Sequence, residues 1–484
     1  MIRSRLGIFP LFLCVLLLFG CSGGSSVTPP PLQSAAVSIT ITDTPPIGVT
    51  LLSFEVKLTG AMLNPGNVDL LGGKGPVSIE VKNLETESAF LNTAKVAPGT
   101  YTSLNLTFAN PEVTFKNGTG AALAGCAAGA VCEIKPGGTL TSTVTFPGSG
   151  ITIAANTPTG IQVDVNPNTI LSAAMGVDFS VAGAVSVQQL TTKPEGHLDD
   201  VDELRGTVQN LDTTNKTFTL HTLAGDFPIT TDGNTRFEFE ACTPTPNVFA
   251  CLANGQVVEV DAKLMAGGIF LAKEIGFEDN AEDDELEGIV FKIDDAMHFE
   301  MVVLHELRDI ANVSVGNPIV ITLDPSCAQS SCFRVQPENM KDMMGMGSNS
   351  TLRQNFESAL DTSQLLTGQA VELRLAGPVN LGPPVTATAN RVRLRMTQFT
   401  AKVKPGSIVP PNFSVDTLPS LFTGATPPIT EIHVQTSPPM TSFTGQGNTS
   451  ISSLSDGDTV SLRGLLFKNG VNPPELIAKK VRKR

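Results

Sequence analysis

The residues able to do chemistry are few, and cysteine supplies the clearest set. Six of the eight cysteines fall into close pairs, Cys126/Cys132, Cys242/Cys251 and Cys327/Cys332. None has the C-x-x-C spacing or histidine companion expected of a zinc site, so the pairs are expected to close three short disulfide loops in an oxidising compartment. A second group is the methionine run Met340, Met343, Met344 and Met346. Thioethers are soft ligands suited to Cu(I); the plainer reading is an insert whose side chains cap an apolar core, followed by a short amphipathic helix over 352–360. Carboxylates cluster twice, at Asp199, Asp200, Asp202 and Glu203, and at Asp279, Glu282, Asp283, Asp284 and Glu285. Hard oxygen donors of this kind suit calcium, but the first run lacks a calcium loop's alternating ligand spacing and glycine. Solvated connectors that hold neighbouring domains apart are the expectation.

The remaining candidates point away from catalysis. The five histidines, His197, His221, His298, His305 and His433, are dispersed, and none has a cysteine or carboxylate at metal-ligand spacing. There is no G-x-S-x-G elbow, phosphate loop or dinucleotide fingerprint. The expectation is a protein without catalytic residues and without a cofactor, with copper or calcium binding as the alternative role.

The N-terminus specifies an address. Arg3 and Arg5 precede an apolar run, Leu6 to Phe19, with one interruption at Pro10; the layout is that of a secretory signal, too short to span a bilayer comfortably. Leu18-Phe19-Gly20-Cys21 resembles a bacterial lipobox, which implies acylation of Cys21 and cleavage before it. A Gly/Ser tract and Pro29-Pro30-Pro31 follow as a tether. Several acyl chains on one residue anchor durably. Ser22, in place of the aspartate that retains such proteins in the inner membrane, favours the outer membrane or cell surface. The net charge is −14, and losing two positive charges with the signal takes it to −16; an acidic body repels phosphate backbones, so nucleic acid is not an expected partner. The membrane, through the lipid, and an envelope protein or polysaccharide are. The basic end, Lys479 to Arg484, reads as a solvated terminus.

The elements that must position these residues are strands. Val37 to Thr42, Phe54 to Leu58, Val77 to Lys82, Leu104 to Phe108 and Ile161 to Val165 alternate apolar with polar residues, the period of a half-buried antiparallel sheet. After each acidic cluster a phrase repeats: Glu203-Leu204-Arg205-Gly206-Thr207-Val208 corresponds to Glu285-Leu286-Glu287-Gly288-Ile289-Val290. Gly255-Gln256-Val257-Val258-Glu259-Val260 corresponds to Gly368-Gln369-Ala370-Val371-Glu372-Leu373 and to Gly457-Asp458-Thr459-Val460-Ser461-Leu462. The third copy opens at Phe399 to Val403 without the glycine. Units of roughly 80–110 residues are complete small domains rather than solenoid turns.

These repeats resemble a bacterial domain-of-unknown-function family numbered 5666, a small β-barrel module. The first domain, through Asp43-Thr44-Pro45, Pro98-Gly99-Thr100-Tyr101 and the strand from Gly160 to Asn166, resembles family 4382. Neither resemblance implies an activity. The expected fold is all-β: an N-terminal antiparallel β-sandwich followed by three small OB-like β-barrels in a string. The divisions are a signal peptide at 1–20, an acylated cysteine and tether at 21–36, the sandwich at 37–192, and barrels at 193–280, 281–396 (with the Met-rich insert) and 397–484. The expected role is non-catalytic binding or scaffolding at the envelope.

Overall fold

The computed structural model describes residues 34–46, 49–73, 76–86, 88–123, 125–171, 177–190, 197–222, 225–238, 248–265, 268–277, 285–306, 313–329, 332–335, 351–437, 441–445 and 450–484. Strands dominate them, with only short helical turns between. The sandwich holds β1 (Ala35–Asp43), β2 (Val49–Asn64), β3 (Val68–Asp69), β4 (Val77–Glu80), β5 (Ala89–Val96), β6 (Gly99–Tyr101), β7 (Ser103–Asn117), β8 (Val131–Ile134), β9 (Thr139–Thr145), β10 (Ile151–Ile153), β11 (Thr159–Val165), the single-turn helix α1 (Pro167–Ile170) and β12 (Val185–Leu190). One sheet runs β12-β11-β1-β5; the other is built on the long β2–β7 pair. Their inward faces, with Phe108 stacked on Phe179 at 4.1 Å, form one core. One pair departs from the antiparallel expectation. β1 and β11 run parallel, from Val37 opposite Thr159 to Asp43 opposite Val165. Such pairing needs a long crossover, which the intervening chain supplies; alternation within a strand does not report its direction.

The barrels follow one plan. The first comprises β13 (His197–Asp212), β14 (Thr217–Thr222), β15 (Gly225–Thr230), β16 (Arg236–Glu238), β17 (Val257–Met265) and β18 (Phe270–Phe277). The second comprises β19 (Glu285–Ile293), β20 (His298–Glu306), β21 (Pro318–Leu323), β22 (Phe333–Val335), β23 (Ala370–Leu375) and β24 (Thr386–Leu394); the third, β25 (Thr397–Val403), β26 (Asn412–Asp416), β27 (Ile432–Gln435), β28 (Ser442–Gly445), β29 (Thr459–Asn469) and β30 (Asn472–Lys483). Each is ordered third-second-first-fifth-sixth-fourth, with a parallel pairing of its third and sixth strands. The repeated glycine phrase has one structural job. Gly255, Gly368 and Gly457 sit at φ of 90°, 91° and 79°, where only glycine is unstrained. Each donates its N–H to the carbonyl of Val208, Val290 or Val403 respectively, fixing the entry to the fifth strand.

The modules are not strung apart. Residues 197–203, read as a connector, are the first half of β13 and pair with β17; residues 278–284 lie outside the described residues. The barrels meet at a buried ionic junction. Arg205 of barrel one contacts Glu259 at 3.3 Å and Glu287 of barrel two at 3.5 Å. Arg395 reaches Glu259 at 3.3 Å and Glu372 at 3.5 Å, and Glu372 also meets Arg393 at 2.9 Å. Lys479 of barrel three pairs with Asp261 of barrel one. Burial alone would depress the Lys479 ammonium, but Asp261, Glu274 and Glu259 outweigh it and raise the group above the ordinary lysine range. Thus the basic end of the chain is not a solvated tail: 479–483 belong to β30, and Arg484 closes against the sandwich through Asp43. Barrels two and three also share apolar packing. Phe467 and Ile477 join the core of barrel two, where the helix α2 (Thr351–Glu357) supplies Leu352 and Phe356.

The sandwich touches every barrel. Phe90 packs edge-on against Phe270 of the first, with centroids 4.9 Å apart. Thr114 donates to the Gly316 carbonyl of the second at 2.7 Å. Thr86 donates to the Gln398 side chain of the third at 2.8 Å.

Candidate functional site

The contact between sandwich and third barrel leaves a cleft of about 1110 Å³. One wall is sandwich: the segment Thr44-Pro45-Pro46, the start of β2, and Lys82 and Glu85 of a short 3-10 turn, Val81–Glu85. The facing wall is β25 from Gln398 to Lys402, the segment Thr417 to Thr423 with its single-turn helix α3 (Ser420–Thr423), and the end of β30. Residues from opposite ends of the chain thus line one space.

Most of the charges along it are fixed by partners. Lys82 is buried, pairs with Glu85 at 2.8 Å and donates to the Gln398 carbonyl at 3.3 Å. Arg484 donates to the Asp43 carbonyl at 2.8 Å and to the Glu85 carbonyl. Arg482 donates to Thr42 at 3.1 Å. Lys402 is exposed, and its ammonium has no ion-pair partner among the described residues. Two carboxyls lie behind the wall. Burial first, then neighbouring Glu85, push Asp43 well above the usual carboxylate range, against the pull of Arg484 and Lys82. Asp164 is raised as well, by burial, against a hydrogen bond from Thr44. Of the charged side chains lining the cleft, five are cations, Lys82, Lys402, Arg482, Lys483 and Arg484, and one, Glu85, is a carboxylate. In a chain of net charge −14, the cleft is a local inversion of sign. It offers hydroxyls, amides and fixed cations, a set suited to holding an anionic ligand.

Residues 205–276, most of the first barrel, match the model of a domain family described as a domain of unknown function, DUF5666. No curated protein matches the chain. The second and third barrels share the strand order of the matched one.

The residues singled out in the sequence are dispersed around this body. Cys126 is bonded to Cys132 within the sandwich, and Cys327 to Cys332 in barrel two. Cys251 is disulfide-bonded; its expected partner Cys242 lies outside the described residues. So do Cys21 and the methionines Met340, Met343, Met344 and Met346. Three histidines each meet one nearby carboxylate: His221 with Asp226 at 2.6 Å, His298 with Asp295 at 2.8 Å and His433 with Glu431 at 3.6 Å. These pairs are exposed and separate; the side chains of His197 and His305 are not described. Among the described residues no group of three or more His, Cys, Asp and Glu could hold a metal ion. The cleft itself was not expected from the sequence. Its only sequence signal is the missing glycine at the opening of the third repeat.

Proposed function

We propose that this chain is a lipid-anchored, non-catalytic binding protein of the bacterial cell envelope, held at the outer membrane or cell surface through acylated Cys21. The cleft between sandwich and third barrel is its binding site, for an envelope protein or polysaccharide. The likeness of the sandwich to family 4382, and of barrels two and three to family 5666, belongs with this reading. The observation that carries it is the cleft. Its walls come from residues more than 300 positions apart in sequence, Lys82 and Gln398 among them, and three of its cations, Lys82, Arg482 and Arg484, are held by hydrogen bonds. A site so preorganised spends little ordering entropy on a ligand.

The anchor is tested by labelling cells with a palmitate analogue. The wild-type chain is expected to take up label and partition with membranes, and Cys21→Ala to lose both. Equal labelling of the two would remove the anchor from the account.

A further inference from the structure

The third barrel is joined least completely at the seam between its first two strands. β19 and β20 of barrel two are matched over seven residue pairs, from Leu286 opposite Glu306 to Ile293 opposite Phe299. β25 and β26 are matched over two, Lys402 with Asp416 and Val403 with Val415. The cause is legible in the repeat. Gly206 and Gly288 lie two residues before the valines that receive the glycine N–H. A Cβ at either would stand 2.5 Å from the His221 carbonyl oxygen or 2.3 Å from that of Val302, on the neighbouring second strand. The equivalent position in barrel three is Ala401. Its methyl occupies the space the second strand needs. β26 ends at Asp416, and Thr417, at a positive φ of 53°, turns the chain away into α3.

The alternation of an antiparallel strand decides which backbone groups are left over. Val403 bonds toward the fifth strand, so Ala401 and Phe399 do too, and Lys402, Thr400 and Gln398 direct N–H and C=O the other way. Lys402 meets β26. The Gln398 carbonyl accepts from Lys82. The Thr400 N–H and C=O have no hydrogen-bond partner among the described residues, and Gln398 to Lys402 all line the cleft. An open strand edge therefore runs along a cationic groove.

We propose that the cleft receives an extended, acidic peptide segment that adds as a strand to the open edge of β25. The proposal rests on the binding reading above and deepens it. Main-chain hydrogen bonds to Thr400 would supply register, and alternate side chains of the segment would lie toward Lys402 and the cations at the end of β30. The charge complementarity favours glutamate and aspartate at those alternate positions. Neither tryptophan nor tyrosine lines the cleft, and its two phenylalanines, Phe399 and Phe422, are buried; without an exposed ring on which a sugar could stack, a peptide is favoured over a polysaccharide.

The test uses the full mature chain and labelled synthetic peptides, read by fluorescence anisotropy at low salt. A short peptide alternating glutamate with valine is expected to bind saturably and to slow amide exchange at Thr400. Its lysine-for-glutamate counterpart is expected not to bind. A version N-methylated at every second residue keeps the charge but cannot form the ladder, and is expected to lose binding. Lys402→Glu, an exposed change checked by its thermal melt, is expected to weaken the acidic peptide by about tenfold. Equal binding of the N-methylated peptide would overturn strand addition, and equal binding of the lysine peptide would overturn the acidic preference. If no peptide binds but polygalacturonate does, sensitively to Lys402→Glu, strand addition fails while the binding reading stands. If neither class binds, both fail.

Discussion

Glu372→Gln is the sharpest perturbation of the buried ionic cluster, which reaches barrel one through Arg395 and Glu259. The Glu372 carboxylate is fully buried and lies 2.9 Å from Arg393, 3.5 Å from Arg395 and 3.9 Å from Arg391. At an effective dielectric constant near 20, each contact is a gross attraction of about 4–6 kcal/mol. Desolvation of the ions offsets much of this, so the intact cluster contributes little net stability. Removing one charge is different, because the arginines stay buried without it; the cost is about 3–5 kcal/mol. If barrels one to three unfold as one unit of about 290 residues, the entropy of unfolding is about 0.6 kcal/mol/K and the melting temperature should fall by about 5–8 °C. Differential scanning calorimetry of wild type and variant, with circular dichroism to confirm a folded start, reads this directly. Replacing Glu372 with Leu and Arg395 with Met together should cost less than Glu372→Gln alone. A shift below about 1 °C for Glu372→Gln would refute the reasoning that the junction is dry and its charges interdependent.

Two further outcomes follow from single residues. Glu80 accepts hydrogen bonds from Ser53 and from the Phe54 and Lys82 amides, yet burial raises its pKa from 4.5 to about 7. The folded state therefore binds this proton more tightly than the unfolded chain. The resulting stabilisation is fully present below about pH 4.5 and is lost as pH rises through about 7. Denaturant titrations from pH 4 to 8 should show a decline that Glu80→Gln flattens; an unchanged slope would count against it. Gly288→Ala places a methyl 2.3 Å from the Val302 carbonyl, so it should cost about 1–3 kcal/mol and raise amide exchange along β20, whereas an unperturbed exchange pattern would contradict the account of the third barrel's open seam.

How much of this was legible in the sequence depended on whether the signal was local. The strands and the repeat were, because period-two alternation and the glycine phrases act within one module. The disulfides Cys126–Cys132 and Cys327–Cys332 were legible too, since their partners are close along the chain. The packing of the modules was not. Glu259, Glu372, Arg393 and Lys479 occupy the polar positions of alternating strands, which read as solvated faces; in the fold those faces meet one another and leave water. The same error made the last six residues look like a free basic tail. The parallel β1–β11 pair was hidden because a strand's pattern is indifferent to its neighbour's direction. The loss of the repeat glycine at Ala401 was visible, but its consequence, an unfilled edge beside a cationic cleft, needed the position of β26 and of the sandwich.

The central claim is that four modules form one body and so create the cleft. Thr86 and Gln398, joined by a 2.8 Å hydrogen bond across the boundary, give the most direct measurement. In the Thr86→Cys, Gln398→Cys double variant, a short thiol-specific cross-linker should join the two positions in nearly all molecules at dilute concentration, as read by peptide mapping, with the melting temperature maintained. Cross-linking at only the few-per-cent level of independently tumbling domains would contradict the account, and the cleft with it.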